Sequence, residues 1–299
     1  MLFKDSIICL NLHLPLLLKS IIPGVLFAML WASASAATKF GIISAEPLVL
    51  SNVRFLLAGT MMLVYAYGIE KSALPTRREW QQLVVFALLN TTLYLGLFVL
   101  AMKQVAAGIG SLSTATNPLI ISVLSAFWVG RRVKYTEWMA IVLGMAGVGL
   151  ATYPLLQNSF ATLEGLLILA GSMLSYSIGT VYYSTCKWTL TRVALNGWQV
   201  FIAGFLLLPF TFIFHEKDST FDLRFWLSVF WLIIPVSIIA VQLWLYLLKT
   251  EPDKASLWLF LCPVFGFIYA SVLLREPLTW HTFAGTALVI AGLWIGRKK

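Results

Sequence analysis

Asn90 and Tyr94, four residues apart, and Asn117, followed at once by Pro118, stand inside long apolar stretches of this chain. An unpartnered amide or hydroxyl in apolar surroundings costs roughly 2–7 kcal/mol, so such groups are expected to face the interior of a helix bundle. Trp31, Ser35 and Thr38 share a helical face at spacings of four and three, and Ser172, Ser175, Tyr176 and Gly179 mark another. Gln242, Trp244 and Tyr246 punctuate a later stretch, and Trp258 and Cys262 precede Pro263. The chemistry open to neutral amides, hydroxyls and ring faces is recognition by hydrogen bonds and stacking. A single Ser or Thr in an apolar helix more often bonds back to its own backbone, and aromatic rings often form interfacial belts. The expectation is that Trp31, Asn90, Tyr94, Asn117, Ser175, Tyr176, Gln242 and Trp258 converge on one central space that binds a small molecule. Pro118 and Pro263 each remove a backbone donor, and are expected to kink their helices as paired hinges or cavity-shaping breaks.

Bond-breaking chemistry finds no support. There is no HExxH or phosphate-binding glycine loop; His13, His215 and His281 are far apart, and Cys9, Cys186 and Cys262 lack metal or redox spacing. No catalytic residue, metal or cofactor is therefore expected. The Asn90-Thr91-Thr92 match to a glycosylation sequon lies inside an apolar stretch and is a chance match. All twelve acidic residues fall in loops or at the ends of apolar stretches. A proton-coupled carrier commonly needs a titratable group within the membrane, so facilitated diffusion or exchange is the expectation. Glu46 is the nearest substitute, although an interfacial cap is the plainer reading. Arg54, placed near an outward helix end, is read as snorkelling or pairing locally, with an electrostatic attractor for carboxylates as the alternative.

These residues require a frame that hides them from lipid. Hydrophobic residues make up 60% of the 299 residues and charged residues 11%, against roughly 25% charged in soluble domains. A hydrocarbon core of about 30 Å needs about 20 apolar helical residues per crossing. Ten stretches qualify, near 21–39, 47–68, 80–102, 106–129, 136–153, 163–183, 193–214, 225–247, 255–273 and 279–296. With the N-terminus in the cytoplasm, 15 of the 21 Lys and Arg residues fall on the cytoplasmic side, which puts both termini there. A net charge of +9 divided among many short loops excludes a nucleic-acid stripe. Residues 1–20 read as a cytoplasmic or interfacial lead-in and not as a signal peptide, because Pro15 and Lys19 interrupt the apolar run.

The chain also repeats itself. An offset of 145 residues aligns Ser111 with Ser256, Pro118 with Pro263, Leu143 with Leu288 and Gly147 with Gly292. Residues 21–155 and 160–296 thus form two five-span repeats, with 297–299 a basic cytoplasmic tail. An odd number of spans per repeat inverts the second copy, and inverted repeats put a substrate site near the midplane between them.

Residues 101–150, AMKQVAAGIGSLSTATNPLIISVLSAFWVGRRVKYTEWMAIVLGMAGVGL, resemble a signature of the drug/metabolite transporter superfamily, in its ten-span branch built from two EamA domains. Residues 247–296 resemble it a second time, and LFAMLWASASAATKFG and EPLVLSNVRFLLAG add support, with Trp31 and Arg54 at positions where the family usually has an aromatic residue and an arginine. The resemblance implies an all-α membrane protein of ten transmembrane helices in two inverted EamA repeats. It further implies export of small metabolites such as amino acids across a bacterial inner membrane, as monomer or homodimer. The family's acidic residue after the fourth span survives as Glu276 in the second copy, whereas the first has Gly130 and Arg131. The runner-up is a proton-coupled exporter of lipophilic compounds. A non-transporting membrane protein or lipid-modifying enzyme is the reading from another class.

Overall fold

The computed structural model describes residues 16–130, 132, 134–158, 160–215, 217–250 and 258–297. Most of the lead-in, Arg131 and the last two residues of the basic tail lie outside them. The described residues form ten helices: α1 (Leu16–Ser44), α2 (Pro47–Gly68), α3 (Arg77–Ala101), α4 (Ala107–Thr114 with Asn117–Val129), α5 (Tyr135–Gln157), α6 (Leu163–Thr185), α7 (Arg192–Ile213), α8 (Leu223–Trp231, Leu232–Ala240 and Val241–Thr250), α9 (Trp258–Phe260 with Leu261–Leu274) and α10 (Trp280–Arg297). This is an all-α, membrane-spanning fold. Helices α1 to α8 are long and apolar enough to cross a bilayer, while the α-helical part of α9 has 14 residues and α10 has 18. Large apolar side chains such as Val142, Leu167, Phe212 and Val272 stand exposed around the bundle, a surface suited to lipid.

Local chemistry sets where the helices begin. Thr76 and Glu79 close a reciprocal capping box at the start of α3; Thr162, Thr191 and Asp222 accept backbone N–H bonds at the starts of α6, α7 and α8. Pro47 opens α2, where a missing N–H costs nothing. Gly130 ends α4 at φ 75°, a conformation that disfavours a Cβ. Within α4 the α-helical run breaks between Thr114 and Asn117, immediately before Pro118; α9 opens as a 3₁₀ turn ahead of Pro263.

Two helices carry wide π turns, Leu88–Leu93 in α3 and Leu232–Ala240 in α8. Shifted by the 145-residue offset, the first falls at 233–238, within the second. The packing partners follow the same rule: α2 lies against α7, α5 against α10, α4 against α9, α1 against α9 as α6 against α4, and α3 against α6 as α8 against α1. Replacing each helix by the one five places along leaves these pairings unchanged. Helices α5 and α10 approach backbone to backbone, for a Cβ on Gly147 would lie 2.5 Å from the Gly285 carbonyl oxygen.

Candidate functional site: a central polar cavity

The wide turn in α3 builds the site. Two hydroxyls of α6 brace it: Ser175 donates to the Leu89 carbonyl within the turn and Ser172 to the Tyr94 carbonyl just after it, both at 2.7 Å. The stretch so braced presents Asn90, Thr91 and Tyr94 to a cavity of about 120 Å³ at the centre of the bundle. Across it, α1 contributes Trp31, Ser35 and Thr38, and α7 contributes Asn196 and Gln199, whose amide donates to the Thr91 hydroxyl at 2.6 Å. The Tyr94 and Tyr176 rings lie 4.7 Å apart between centroids and wall the side made by α3 and α6.

Arg54 lines this space too. It is 9% exposed; its Nη2 and Nε donate to the Ser237 hydroxyl at 2.9 and 3.3 Å, and its guanidinium carbon lies 5.8 Å from the Phe55 ring centroid. Of the two readings of Arg54, snorkelling or pairing locally, the first is corrected: the guanidinium turns inward to the local partner Ser237. Two helical turns separate it from Pro47, and the wide turn of α8 brings Ser237 to it.

A second cavity of about 480 Å³ adjoins the first across Trp31, Thr114 and Tyr176. It lies among Phe27, Asn117, Pro118, Trp244 and Leu259, nearer the end of the bundle where α2 finishes at Gly68. The Asn117 side-chain amide oxygen, Oδ1, is buried there with no hydrogen-bond donor among the described residues. Together the two spaces fall within the roughly 300–1,000 Å³ of small-molecule sites. No charged residue other than Arg54 lines either one among the described residues.

The opposite, Glu46 end of the bundle is drawn together. The Glu46 carboxylate pairs with Lys103 at 3.3 Å and its backbone N–H donates to the Ser219 hydroxyl at 3.0 Å, so it does not cap α2 with its side chain. Ser44 donates its hydroxyl to Asp222 at 3.1 Å and accepts the Thr220 N–H on its carbonyl at 2.8 Å. The Phe225 N–H first, and the Ser44 hydroxyl second, hold the Asp222 carboxyl below the usual carboxylate range. Glu276 reaches the start of α4, where its carboxylate accepts the N–H groups of Ala107 at 2.7 Å and Gly108 at 3.2 Å. Arg275, just before it, takes the uncommon φ of 55° that turns the chain there.

Of the residues singled out from the sequence, Trp31, Asn90, Tyr94, Asn117, Tyr176 and Pro118 line the two cavities. Ser175 is spent on the Leu89 carbonyl and braces α3 from behind. Trp258 packs its ring over Gly24 and beside Phe27, next to the cavity residue Leu259. Pro263 is buried beside Cys262, whose carbonyl accepts the Ser111 hydroxyl at 3.0 Å and ties α9 to α4. Gln242 is exposed on the bundle surface and lies outside both cavities. The wide turn just before it rotates the face of α8, and Trp244 points inward in its place. Gln199, Asn196 and Ser237 escaped the sequence reading, though an amide in an apolar helix is the signal that singled out Asn90.

Comparison with known proteins places these features in context. A model of the EamA-like transporter family matches residues 18–153 and again 163–296. The uncharacterized transporter YvbV of Bacillus subtilis is 26% identical over 92% of this chain and 89% of its own length. The uncharacterized inner membrane transporter YedA of Escherichia coli K12 is 29% identical over 86% of this chain and 84% of its own. One solved crystal structure matches with a TM-score of 0.62, covering 93% of this chain and 96% of its own; at 18% identity it shows the fold alone.

Proposed function

The chain belongs to the EamA-like transporter family, and on that premise we propose that it carries small metabolites such as amino acids through the central cavity by alternating access. That it is a membrane-embedded secondary transporter of small molecules follows from the family; substrate, route and mechanism are our reading. The observation that carries the route is a polar, aromatic cavity buried where α1, α2, α3 and α4 of the first half meet α6, α7 and α8 of the second.

In this reading the two halves are inverted repeats. The exchange symmetry of the helix pairings and the matched wide turns of α3 and α8 support it. The described conformation is closed at the Glu46 end and has its larger cavity toward the Gly68 end. Charge counting makes the Gly68 end cytoplasmic, so this is an inward-facing state, poised to load from the cytoplasm for export across an inner, plasma membrane. Opening requires the two halves to rock, parting Glu276 from α4 and Ser44 from Asp222 while α5 and α10 stay in backbone contact. Among the described residues no carboxylate lines either cavity, which favours facilitated diffusion or exchange over proton coupling.

The test is counterflow. Proteoliposomes loaded with a mixture of unlabelled amino acids should take up labelled amino acid transiently, unaffected by a protonophore. Uptake that requires an imposed proton gradient contradicts the facilitator reading and favours the coupled one. No counterflow with any amino acid contradicts the substrate class.

A further inference from the structure

We infer that Arg54 anchors a single carboxylate of the transported molecule, which makes monocarboxylates, free amino acids included, the substrate class of the cavity. The inference rests on the cavity being the transport site. Its basis is a buried cation that meets no counter-charge among the described residues. Arg54 is nine-tenths buried, yet two of its donor nitrogens share one neutral partner, the Ser237 hydroxyl. It pairs with no carboxylate among the described residues. A guanidinium carries five N–H donors in a planar fork, and the Ser237 hydroxyl takes only part of that capacity. Removing a charge from water is costly unless a counter-charge meets it, and the space that Arg54 lines is open to such a group.

Charge and shape then narrow the ligand. With one cation and no anion among the described residues that line both spaces, a single negative charge is neutralised, whereas a doubly charged phosphate would leave an excess. A carboxylate also matches the forked donors in a way that an amide does not. The rest of the molecule would meet the rings of Tyr94, Tyr176 and Trp31, which accept an apolar body or, through their faces, an ammonium. Arg54 therefore acts as a specificity residue, since neutral analogues leave its charge unpaired.

The experiment pairs acids with their primary amides. The thermal midpoint of the purified full chain in detergent is followed against 3-phenylpropionate, 3-phenylpropionamide, L-phenylalanine, L-phenylalaninamide and benzoate. The acids should raise the midpoint saturably and the amides should not. Arg54→Gln should weaken acid binding at least tenfold and erase the distinction between acid and amide, an effect separate from whatever the lost bonds to Ser237 do to the midpoint of the unliganded protein. Arg54→Lys, which keeps the charge but loses the fork, should fall between, and it carries the test if the glutamine variant does not fold. Equal binding of acid and amide, no shift with any acid, or variants that keep the distinction each overturn the anchor. So does a lowered midpoint with unchanged affinity, which would make Arg54 a packing residue. Counterflow of the same pairs separates the two readings. Amides carried as fast as acids refute the anchor and leave the transport route standing; acids that bind but are never carried refute the route and leave the anchor.

Discussion

Replacing Glu276 by Gln should loosen the closed end of the bundle by a measurable amount. The Glu276 carboxylate accepts two backbone N–H groups, at 2.7 and 3.2 Å, from the first turn of α4. Hydrogen bonds to a charged group contribute about 1.5–3 kcal/mol, and a negative charge at a helix N-terminus about 0.3–1 kcal/mol. A glutamine keeps one neutral acceptor and loses the charge, so about 1–2 kcal/mol of closure is forfeited. Since 1.4 kcal/mol is tenfold in an equilibrium, the ratio of closed to open at that end should fall about 5- to 30-fold. The assay is thiol accessibility. In a chain with Cys9, Cys186 and Cys262 replaced by serine or alanine, Thr38→Cys places a thiol on the cavity wall contributed by α1. Labelling by a membrane-impermeant reagent from the Glu46 side should accelerate by that factor on adding Glu276→Gln. An unchanged rate in a folded variant refutes the reasoning that Glu276 latches the two halves.

Further outcomes follow from other contacts. Gly147→Leu forces a side chain against the Gly285 carbonyl and should cost about 1–3 kcal/mol or more, read as a lower thermal midpoint in detergent. Asn90→Ala should cut counterflow sharply while Gln242→Ala leaves it near wild type, because the first side chain faces the cavity and the second the bundle surface. The folded-state pKa of Asp222 is depressed. Its contribution to stability is therefore present above the ordinary carboxylate value of about 3.9 and is lost as pH falls through the lower folded value. Asp222→Asn should flatten the acid limb of a stability profile taken from pH 7 downward.

Much of the bundle was legible because bilayer crossing imposes a length and a composition that α1 to α8 satisfy. Residues such as Asn90 and Asn117 could be placed toward the interior because burial in lipid would leave their amides unpaired. That reasoning failed at Gln242, where the wide turn of α8 rotates the helix face by an amount that no periodicity in the sequence announces. It failed differently at Ser175, whose hydroxyl is spent on the Leu89 carbonyl in the wide turn of a neighbouring helix. Arg54 was misplaced because a span end measured along the sequence ignores which neighbour, here Ser237, lies across the bundle. Glu276 stood out only through the family resemblance, as the acid after a fourth span; its role at the start of α4 depends on a contact 168 residues away in sequence.

The central claim, that substrate passes through the cavity between Trp31, Asn90 and Tyr94, is tested most directly by filling it. Ser35→Trp sets an indole into a space of about 120 Å³. In proteoliposomes that show amino acid counterflow with the wild-type chain, the plugged variant, matched for thermal midpoint and incorporation, should show counterflow reduced to the level of empty vesicles. Undiminished counterflow through the plugged protein would contradict the account.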